Sequence, residues 1–194
     1  MKDINVEEYN SAWKMEFQKS KTFYEKVLKE IEVEIVHVGS TSIEGLWAKP
    51  ILDIDIIVNN ATDCKLTIES LKSVGYIHIG NLGIEGREAF TCSVDNRSIQ
   101  WMAHNLYVCI RGNENLRNHL LLKKHLLENK NAVVKYGTLK RNLAKKYPND
   151  IDSYVEGKTE LIIAFLKAEG MGKNELDRIV SINNKIGQKI FNQR

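Results

Sequence analysis

Residues 51–58 read Ile-Leu-Asp-Ile-Asp-Ile-Ile-Val, and this run is the most informative part of the sequence. Its β-branched, apolar composition predicts a strand, because such side chains pack well on a pleated surface. Successive side chains of a strand point to opposite faces, so Asp53 and Asp55 share one face while Ile54 and Ile56 share the other. The sequence therefore predicts a sheet that carries two carboxylates close together on one face.

The paired aspartates predict a metal site. Carboxylate oxygens are hard ligands that suit Mg²⁺ or Mn²⁺. A buried pair of like charges also needs a cation or a proton to be tolerated. We therefore expect Asp53 and Asp55 to coordinate a divalent cation and to act in catalysis. The alternative is a pair at a sheet edge that accepts hydrogen bonds from loop amides.

A second strand, residues 33–38, runs directly into the polar turn Gly-Ser-Thr-Ser. Gly39 lets the backbone approach a ligand closely. Ser40 and Thr41 offer hydroxyl and amide groups to phosphate oxygens at an expected helix start. The turn is therefore a candidate nucleotide-binding element, with a plain strand-to-helix turn capped by Ser40 as the alternative.

The remaining pattern predicts an α+β or α/β fold: a mixed sheet flanked by helices, followed by a helical C-terminal part. Residues 1–112 are expected to form the core, and residues 113–194 a helical region packed on it as one compact unit. Pro148 and the segment 170–172 should interrupt those helices. The other predicted elements are helices at 10–30 and 61–74 and strands at 88–94 and 99–110, the two strands being joined by a turn at 95–98.

Composition restricts the classes of function. The chain has 194 residues, 43% of them hydrophobic and 27% charged, and a net charge of +3, which is ordinary for a soluble protein and too small to demand a polyanionic partner. No signal segment or membrane-spanning run is present, so a cytoplasmic location and no membrane partner are expected. Cys64, Cys92 and Cys109 form no Cys-x-x-Cys pair, which predicts reduced thiols rather than a zinc or dithiol site.

The run from His37 to Ile54 resembles the signature of the GrpB family, a group of bacterial proteins related to the nucleotidyltransferase superfamily. That superfamily's pattern is an apolar residue, Gly and Gly or Ser, then a short gap and Asp-apolar-Asp, which this sequence matches at residues 38–40 and 53–55. The similarity covers residues 8–166. It continues at Gly86, Arg87, Phe90, His104 to Val108, Tyr136, Leu139 to Arg141, Leu143, Tyr147, Pro148, Asp152, Tyr154 and Lys158.

This resemblance implies a nucleotidyltransferase-like fold that binds a nucleoside triphosphate, with ATP favoured, and Mg²⁺ or Mn²⁺. A nucleotidyl group would pass to a hydroxyl of an acceptor that the sequence does not identify. Besides the Gly39–Thr41 turn, the expected nucleotide contacts are Lys49, Arg87, Lys140 and Lys158. For each of these four, a solvated or structural side chain is the alternative.

Two positions depart from the family pattern. Glu44 stands where the family usually has Pro. More important, residues 96–113 contain no Asp or Glu, so the strand predicted there cannot supply the third carboxylate of active nucleotidyltransferases. That strand carries His104 and Tyr107 instead, and His104 becomes a candidate general base or extra metal ligand. The alternative function is therefore a non-catalytic nucleotide-sensing or partner-binding module.

Lysine and arginine far outnumber acidic residues between Arg111 and Tyr147. Solvated helix faces explain most such excesses, and the alternative is a positive wall that attracts phosphates. Nucleic-acid binding is therefore left open but not favoured. The remaining histidines show no ligand spacing and are interpreted as ordinary; they are His37, His78, His119 and His125.

Overall fold

The computed structural model describes residues 3–92 and 101–181. The predicted turn at 95–98 and the adjoining ends of the predicted strands lie outside those residues. Within them the chain forms these elements: α1 (Ala12–Val27), β1 (Val33–Val38), a 3₁₀ turn (Ser40–Ser42), β2 (Leu52–Val58), α2 (Ala61–Ser73), β3 (Tyr76–Gly80), β4 (Arg87–Cys92), β5 (His104–Ile110), α3 (Glu114–Glu128), α4 (Lys130–Lys146) and α5 (Ile151–Ala168).

The strands form one mixed sheet in the order β1-β2-β5-β4-β3. Only the β2–β5 pair is parallel among these neighbours, and the other pairs are antiparallel. The predicted α+β class, a mixed sheet flanked by helices with a helical C-terminal part, is confirmed. Strand β3 was not predicted, because its five residues, Tyr76–Gly80, carry too short a pattern to stand out.

Strand β2, which lies between β1 and β5, is apolar on both faces except at its aspartates. Ile54, Ile56 and Val58 are fully buried on one face, and Ile57 is buried on the other. Helix α1 packs against β1 and β2, and α2 packs against β3 and β5. A strand covered on both sides reads as a nearly continuous hydrophobic run, which is the pattern that residues 51–58 show.

Helix boundaries follow local capping chemistry. The side chain of Asn60 accepts hydrogen bonds from the backbone N–H groups of Thr62 and Asp63 and so caps α2. Asp150 accepts from the N–H of Ser153 at the start of α5. The predicted break at Pro148 is confirmed, because α4 ends at Lys146 and α5 begins at Ile151.

The chain divides into two compact units that interleave along the sequence. One unit comprises Asn10–Ser42 and Pro50–Leu120 and contains the sheet with α1 and α2. The other takes in Met1–Tyr9, Ile43–Lys49 and Leu121–Arg194, as far as these are described. Sequence prediction assigns residues 1–9 and 43–49 to the N-terminal part instead. The predicted packing of residues 113–194 on the core stays a prediction.

Each unit has its own apolar cluster. In the unit with α4 and α5, buried side chains from four segments of the chain pack together: Ile43, Leu46, Leu126, Ala132, Tyr136 and Phe165. In the sheet unit, Ile57, Cys109 and Leu116 pack together beside Val36 and Tyr107.

All three cysteines are free thiols; Cys64 and Cys109 are buried and Cys92 is exposed. In the part of the chain that the structure describes, no helix has the length and apolar character needed to cross a bilayer.

Candidate functional site

Asp53 and Asp55 lie on one face of the sheet, as the alternation in residues 51–58 predicts. Asp53 is paired in register with Val38 on β1 and Asn105 on β5, and Asp55 is paired with Val36 and Tyr107. Asp53 is partly exposed, whereas Asp55 is completely buried at 0% exposure. We refer to this side of the sheet as the carboxylate face.

Asp53 is held from two sides. The amide Nδ2 of Asn105 donates a hydrogen bond of 2.7 Å to its Oδ1. On the other side, Gly39 has a φ of +68°, and a Cβ atom there would overlap the carboxylate of Asp53. Gly39 is thus needed for a positive φ and for a close approach, but the group that approaches it in the structure is Asp53.

The turn after β1 is a 3₁₀ turn of three residues rather than the start of a longer helix, so it lacks the row of parallel N–H groups that an α-helix presents. Thr41 is buried, and its Oγ1 lies 2.9 Å from Nε2 of His37 and 3.3 Å from the carbonyl oxygen of Ile51. Its hydroxyl is therefore engaged inside the fold. Ser40 is partly exposed, and its predicted phosphate contact stays a prediction.

The second aspartate has a partner that sequence reasoning missed. Nδ1 of His119, on α3, lies 2.7 Å from Oδ2 of Asp55. Burial alone would lower the pKa of His119, but the charge of Asp55 and the hydrogen bond to it raise that pKa above its ordinary value. The other oxygen of Asp55, Oδ1, is buried without a hydrogen-bond partner in the described chain.

Arg87, on β4, lies beside the polar side chains around Asp55. Its guanidinium lies 4.7 Å from the ring centroid of Tyr107, and its Nη1 donates to Oδ1 of Asn115 at 3.4 Å. Nδ2 of Asn115 lies 3.3 Å from Nε2 of His119. Burial, together with the nearby charge of Asp53, raises the pKa of Tyr107 to about 12, so its hydroxyl stays protonated. The side chain of Arg87 is buried, and its Nε has no hydrogen-bond partner within the described ranges.

His104 is not brought to the carboxylates. Its register partner on β2 is Leu52, so it lies on the opposite face of the sheet. There Nδ1 donates to the carbonyl of Met102 at 2.9 Å, and Nε2 lies 3.1 Å and 2.9 Å from the hydroxyls of Tyr24 and Tyr76. Burial lowers the pKa of His104. Its surroundings are those of a neutral structural histidine, not of a general base beside Asp53.

The three predicted lysines belong to the other unit. Nζ of Lys49 lies 5.8 Å and Nζ of Lys158 lies 4.6 Å from the ring centroid of Tyr154. Lys140 is buried with its Nζ 4.6 Å from the ring of Tyr136. Each ammonium thus contacts an aromatic face, a known favourable arrangement. Their predicted contacts with nucleotide phosphates stay predictions.

The donor set of the carboxylate face fits a hard divalent cation. Two carboxylates share the face, and Asp55 keeps one buried oxygen without a partner, which is costly unless a ligand satisfies it. No group of three or more His, Cys, Asp and Glu side chains arranged to hold a metal occurs in the described chain. On the carboxylate face, Asp53 and Asp55 are the residues that could hold Mg²⁺, with other ligands coming from water or substrate.

Proteins of known sequence and structure resemble this chain over most of its length. The Glutamate-rich protein GrpB of Alkalihalophilus pseudofirmus is 34% identical over 155 residues, which are 79% of this chain and 88% of that protein. The crystal structure of a conserved GrpB protein from Enterococcus faecalis has a TM-score of 0.72 at 30% identity and covers 90% of this chain and 99% of its own.

A more distant likeness concerns the fold alone. The structure of Cid1 in complex with its short product ApU has a TM-score of 0.50 at 14% identity, and it covers 72% of this chain and 43% of its own. Cid1 has a nucleotidyltransferase fold, so the predicted likeness to that fold is confirmed at the level of architecture.

The family itself is shown by a direct match. The model described as GrpB protein matches residues 3–168. This span contains the Gly39-Ser40 turn, both aspartates and His119, and it confirms the resemblance seen in the sequence. The chain belongs to the GrpB family.

Proposed function

We propose that this chain binds a nucleoside triphosphate together with Mg²⁺ at the carboxylate face, with ATP favoured, and transfers a nucleotidyl group to a hydroxyl of an acceptor. The observation that carries the proposal is Asp55. Its carboxylate is fully buried, shares a face with Asp53, and keeps one oxygen unpartnered within the described chain. A fold that retains such a costly group usually does so for function.

Asp53 and Asp55 would hold the cation, for which Mn²⁺ could substitute. When bound, the cation would neutralise charge on the phosphate oxygens. The protein's own contribution is to fix the two carboxylates before the ligand arrives: Asn105 holds Asp53, and His119 holds Asp55. Such fixed groups need little reorganisation during reaction.

The Cid1 likeness supports the same class of ligand. A structure of the Cid1 poly(U) polymerase described as Mg 3'-dATP bound has a TM-score of 0.50 at 15% identity and covers 79% of this chain and 50% of its own. A shared fold does not carry a shared chemistry by itself. The proposal therefore depends on the carboxylates, and the likeness supplies the ligand to test.

A second candidate is a non-catalytic nucleotide-sensing or partner-binding module. One observation favours it: the residue in register with Asp53 on the parallel neighbour β5 is Asn105, a neutral amide, and Tyr107 pairs with Asp55. No third acid is supplied by β5, which limits the charge available for a second cation. Binding without turnover is the behaviour this candidate predicts.

Calorimetry tests the binding step. The wild-type protein, Asp53→Asn and Asp55→Asn are titrated with ATP, GTP, CTP and UTP, each with and without Mg²⁺. The proposal predicts saturable binding that requires Mg²⁺ and is lost in both variants. The matched control is Asp63→Asn, which changes an aspartate that accepts a hydrogen bond from Asn60 at the start of α2. Equal nucleotide affinity in Asp55→Asn and the wild type would contradict the proposal.

Turnover separates the two candidates. Wild-type protein that binds ATP is incubated with α-labelled ATP, Mg²⁺ and a panel of hydroxyl-bearing acceptors, and both the transfer of label to the acceptor and the release of pyrophosphate are measured. Pyrophosphate release that disappears in Asp53→Asn supports the transferase. Tight Mg²⁺-dependent binding with no pyrophosphate release above a protein-free control supports the sensing module.

A further inference from the structure

His119 contacts the proposed cation site through Asp55, and the sequence pattern assigned it no role. Its Nδ1 lies 2.7 Å from Oδ2 of Asp55, and the imidazole is about one quarter exposed, at 24%. Asp55 itself has no exposed surface. The contact therefore joins a fully buried carboxylate to a side chain on a different element, α3.

The donors around His119 form a directed series. The guanidinium of Arg87 has only donors, so Asn115 accepts with Oδ1 and turns its Nδ2 toward His119. Nε2 of His119 accepts from that amide in the neutral ring, and its Nδ1–H donates to Oδ2 of Asp55. A fixed partner on one ring nitrogen sets the tautomer and orientation of the other. The contact with Asn115 thus holds the imidazole in one orientation relative to Asp55.

The first turn of α3 is fixed in the same way. Oδ1 of Asn113 accepts hydrogen bonds from the backbone N–H groups of Asn115 at 2.9 Å and Leu116 at 3.3 Å. Leu116 is buried in the cluster with Ile57 and Cys109. Helix α3 therefore begins at a defined point, and His119 one turn later has little freedom to move.

We propose that His119 is a positioning residue for Asp55. This inference rests on the proposed function. By occupying Oδ2, His119 fixes both side-chain torsions of Asp55 and leaves Oδ1 as the oxygen that meets the cation. Outer-shell hydrogen bonds of this kind orient metal-ligating groups, and their loss commonly weakens metal affinity about 10- to 100-fold. The residue thus acts through Asp55 and does not itself contact the nucleotide.

The test compares three replacements of His119 by calorimetric titration with Mg²⁺-ATP. His119→Leu removes the donor. His119→Gln places an amide near the former Nε2 position, and His119→Asn places one near the Nδ1 position. We expect the Kd for Mg²⁺-ATP to rise about 10- to 100-fold in the Leu and Gln variants, and to stay within about threefold of wild type in His119→Asn. Without Mg²⁺, measured in parallel, none of the four proteins should show saturable binding of ATP.

His125 supplies a matched control on the same helix. Its Nδ1 lies 2.9 Å from Oε1 of Glu169, and its ring stacks on Phe165 with centroids 4.5 Å apart. His125→Leu therefore removes an equally well-paired histidine of α3 that has no contact with Asp55. We expect its Kd for Mg²⁺-ATP to equal that of wild type.

The outcomes distinguish a failure of the positioning role of His119 from a failure of the proposed function. Thermal unfolding identifies the folded variants, and if His119→Leu does not fold, the difference between His119→Gln and His119→Asn decides. A folded His119→Gln that binds Mg²⁺-ATP as tightly as wild type overturns the positioning role alone. Wild-type protein that shows no Mg²⁺-dependent nucleotide binding overturns the proposed function, and this inference with it.

Discussion

Two polar clusters lie on opposite faces of the same sheet, and they differ in how their hydrogen bonds are satisfied. On one face, His104 and the hydroxyls of Tyr24 and Tyr76 bond to one another, and Nδ1 of His104 donates to a backbone carbonyl. On the carboxylate face, Oδ1 of Asp55 and Nε of Arg87 are buried without hydrogen-bond partners in the described chain.

This difference distinguishes a polar cluster that stabilises the fold from one that can bind a ligand. A neutral cluster with its donors and acceptors paired contributes to stability and asks for no ligand. A buried carboxylate with an unpaired oxygen lowers stability unless something binds to it. The same sheet therefore holds a structural cluster around His104 and a candidate binding site around Asp55. Variants of the His104 cluster should change the free energy of unfolding, and variants of the carboxylate face should change the Kd for Mg²⁺-ATP.

The largest effect is expected from Asp55→Asn, which preserves shape and removes the charge. Because this residue would bind the cation directly, its loss should exceed the effect of an outer-shell partner, so we expect the Kd for Mg²⁺-ATP to rise more than about 100-fold. Calorimetry gives the Kd, and circular dichroism confirms that the variant is folded. A folded Asp55→Asn with the wild-type Kd would remove the distinction between the two faces.

Gly39→Ala should damage both the fold and the site. The positive φ of +68° strains any residue with a Cβ, at a cost of about 1–3 kcal/mol in unfolding free energy, and that Cβ would also push Asp53 aside. Gly45→Ala is the control, because Gly45 has a φ of +79° and nothing within 4 Å of the added atom. Urea denaturation should show a loss in both, and Mg²⁺-ATP affinity should fall only in Gly39→Ala.

The opposite cluster should respond in stability alone. His104→Leu removes the acceptor of the tyrosine hydroxyls and leaves a buried donor unsatisfied, so we expect a loss of about 1–3 kcal/mol in unfolding free energy. The Kd of the folded variant for Mg²⁺-ATP should match that of wild type. A large loss of affinity without loss of stability would restore His104 to the functional site.

The smallest expected effect is a pH dependence from the same histidine. Burial lowers the pKa of His104 in the folded protein, so between the ordinary value near 6.5 and that lower value only the unfolded chain takes up the proton. The free energy of unfolding therefore includes the full contribution of neutral His104 above about pH 6.5, and this contribution is lost as the pH falls below that value. Urea midpoints measured from pH 8 to pH 5 should fall less steeply for His104→Gln than for wild type.

The sequence predicted the sheet and the shared face of Asp53 and Asp55, because strand alternation is a local property that eight residues are enough to show. The same rule applies to His104 and Tyr107. They are three residues apart on one strand, so they must point to opposite faces, and only Tyr107 can face the carboxylates. The prediction of His104 as a general base or extra metal ligand overlooked this alternation.

His119 could not be predicted in the same way. It lies on α3, 64 residues after Asp55 in sequence, and its approach to that residue depends on how the helix packs on the sheet. A single histidine with no ligand spacing carries no local signal of such a contact. Asn105 and Asn115 were missed for a related reason, because neutral amides are common on strands and at helix starts and acquire meaning only from their neighbours.

The central claim is that the carboxylate face binds a divalent cation with a nucleotide, and locating the cation tests this most directly. Crystals grown with Mn²⁺ and a non-hydrolysable ATP analogue would show the metal by its anomalous scattering. We predict an anomalous peak about 2 Å from oxygens of both Asp53 and Asp55, next to the analogue's phosphates. An analogue bound with its metal away from both carboxylates, or no peak at saturating concentrations, would contradict the account.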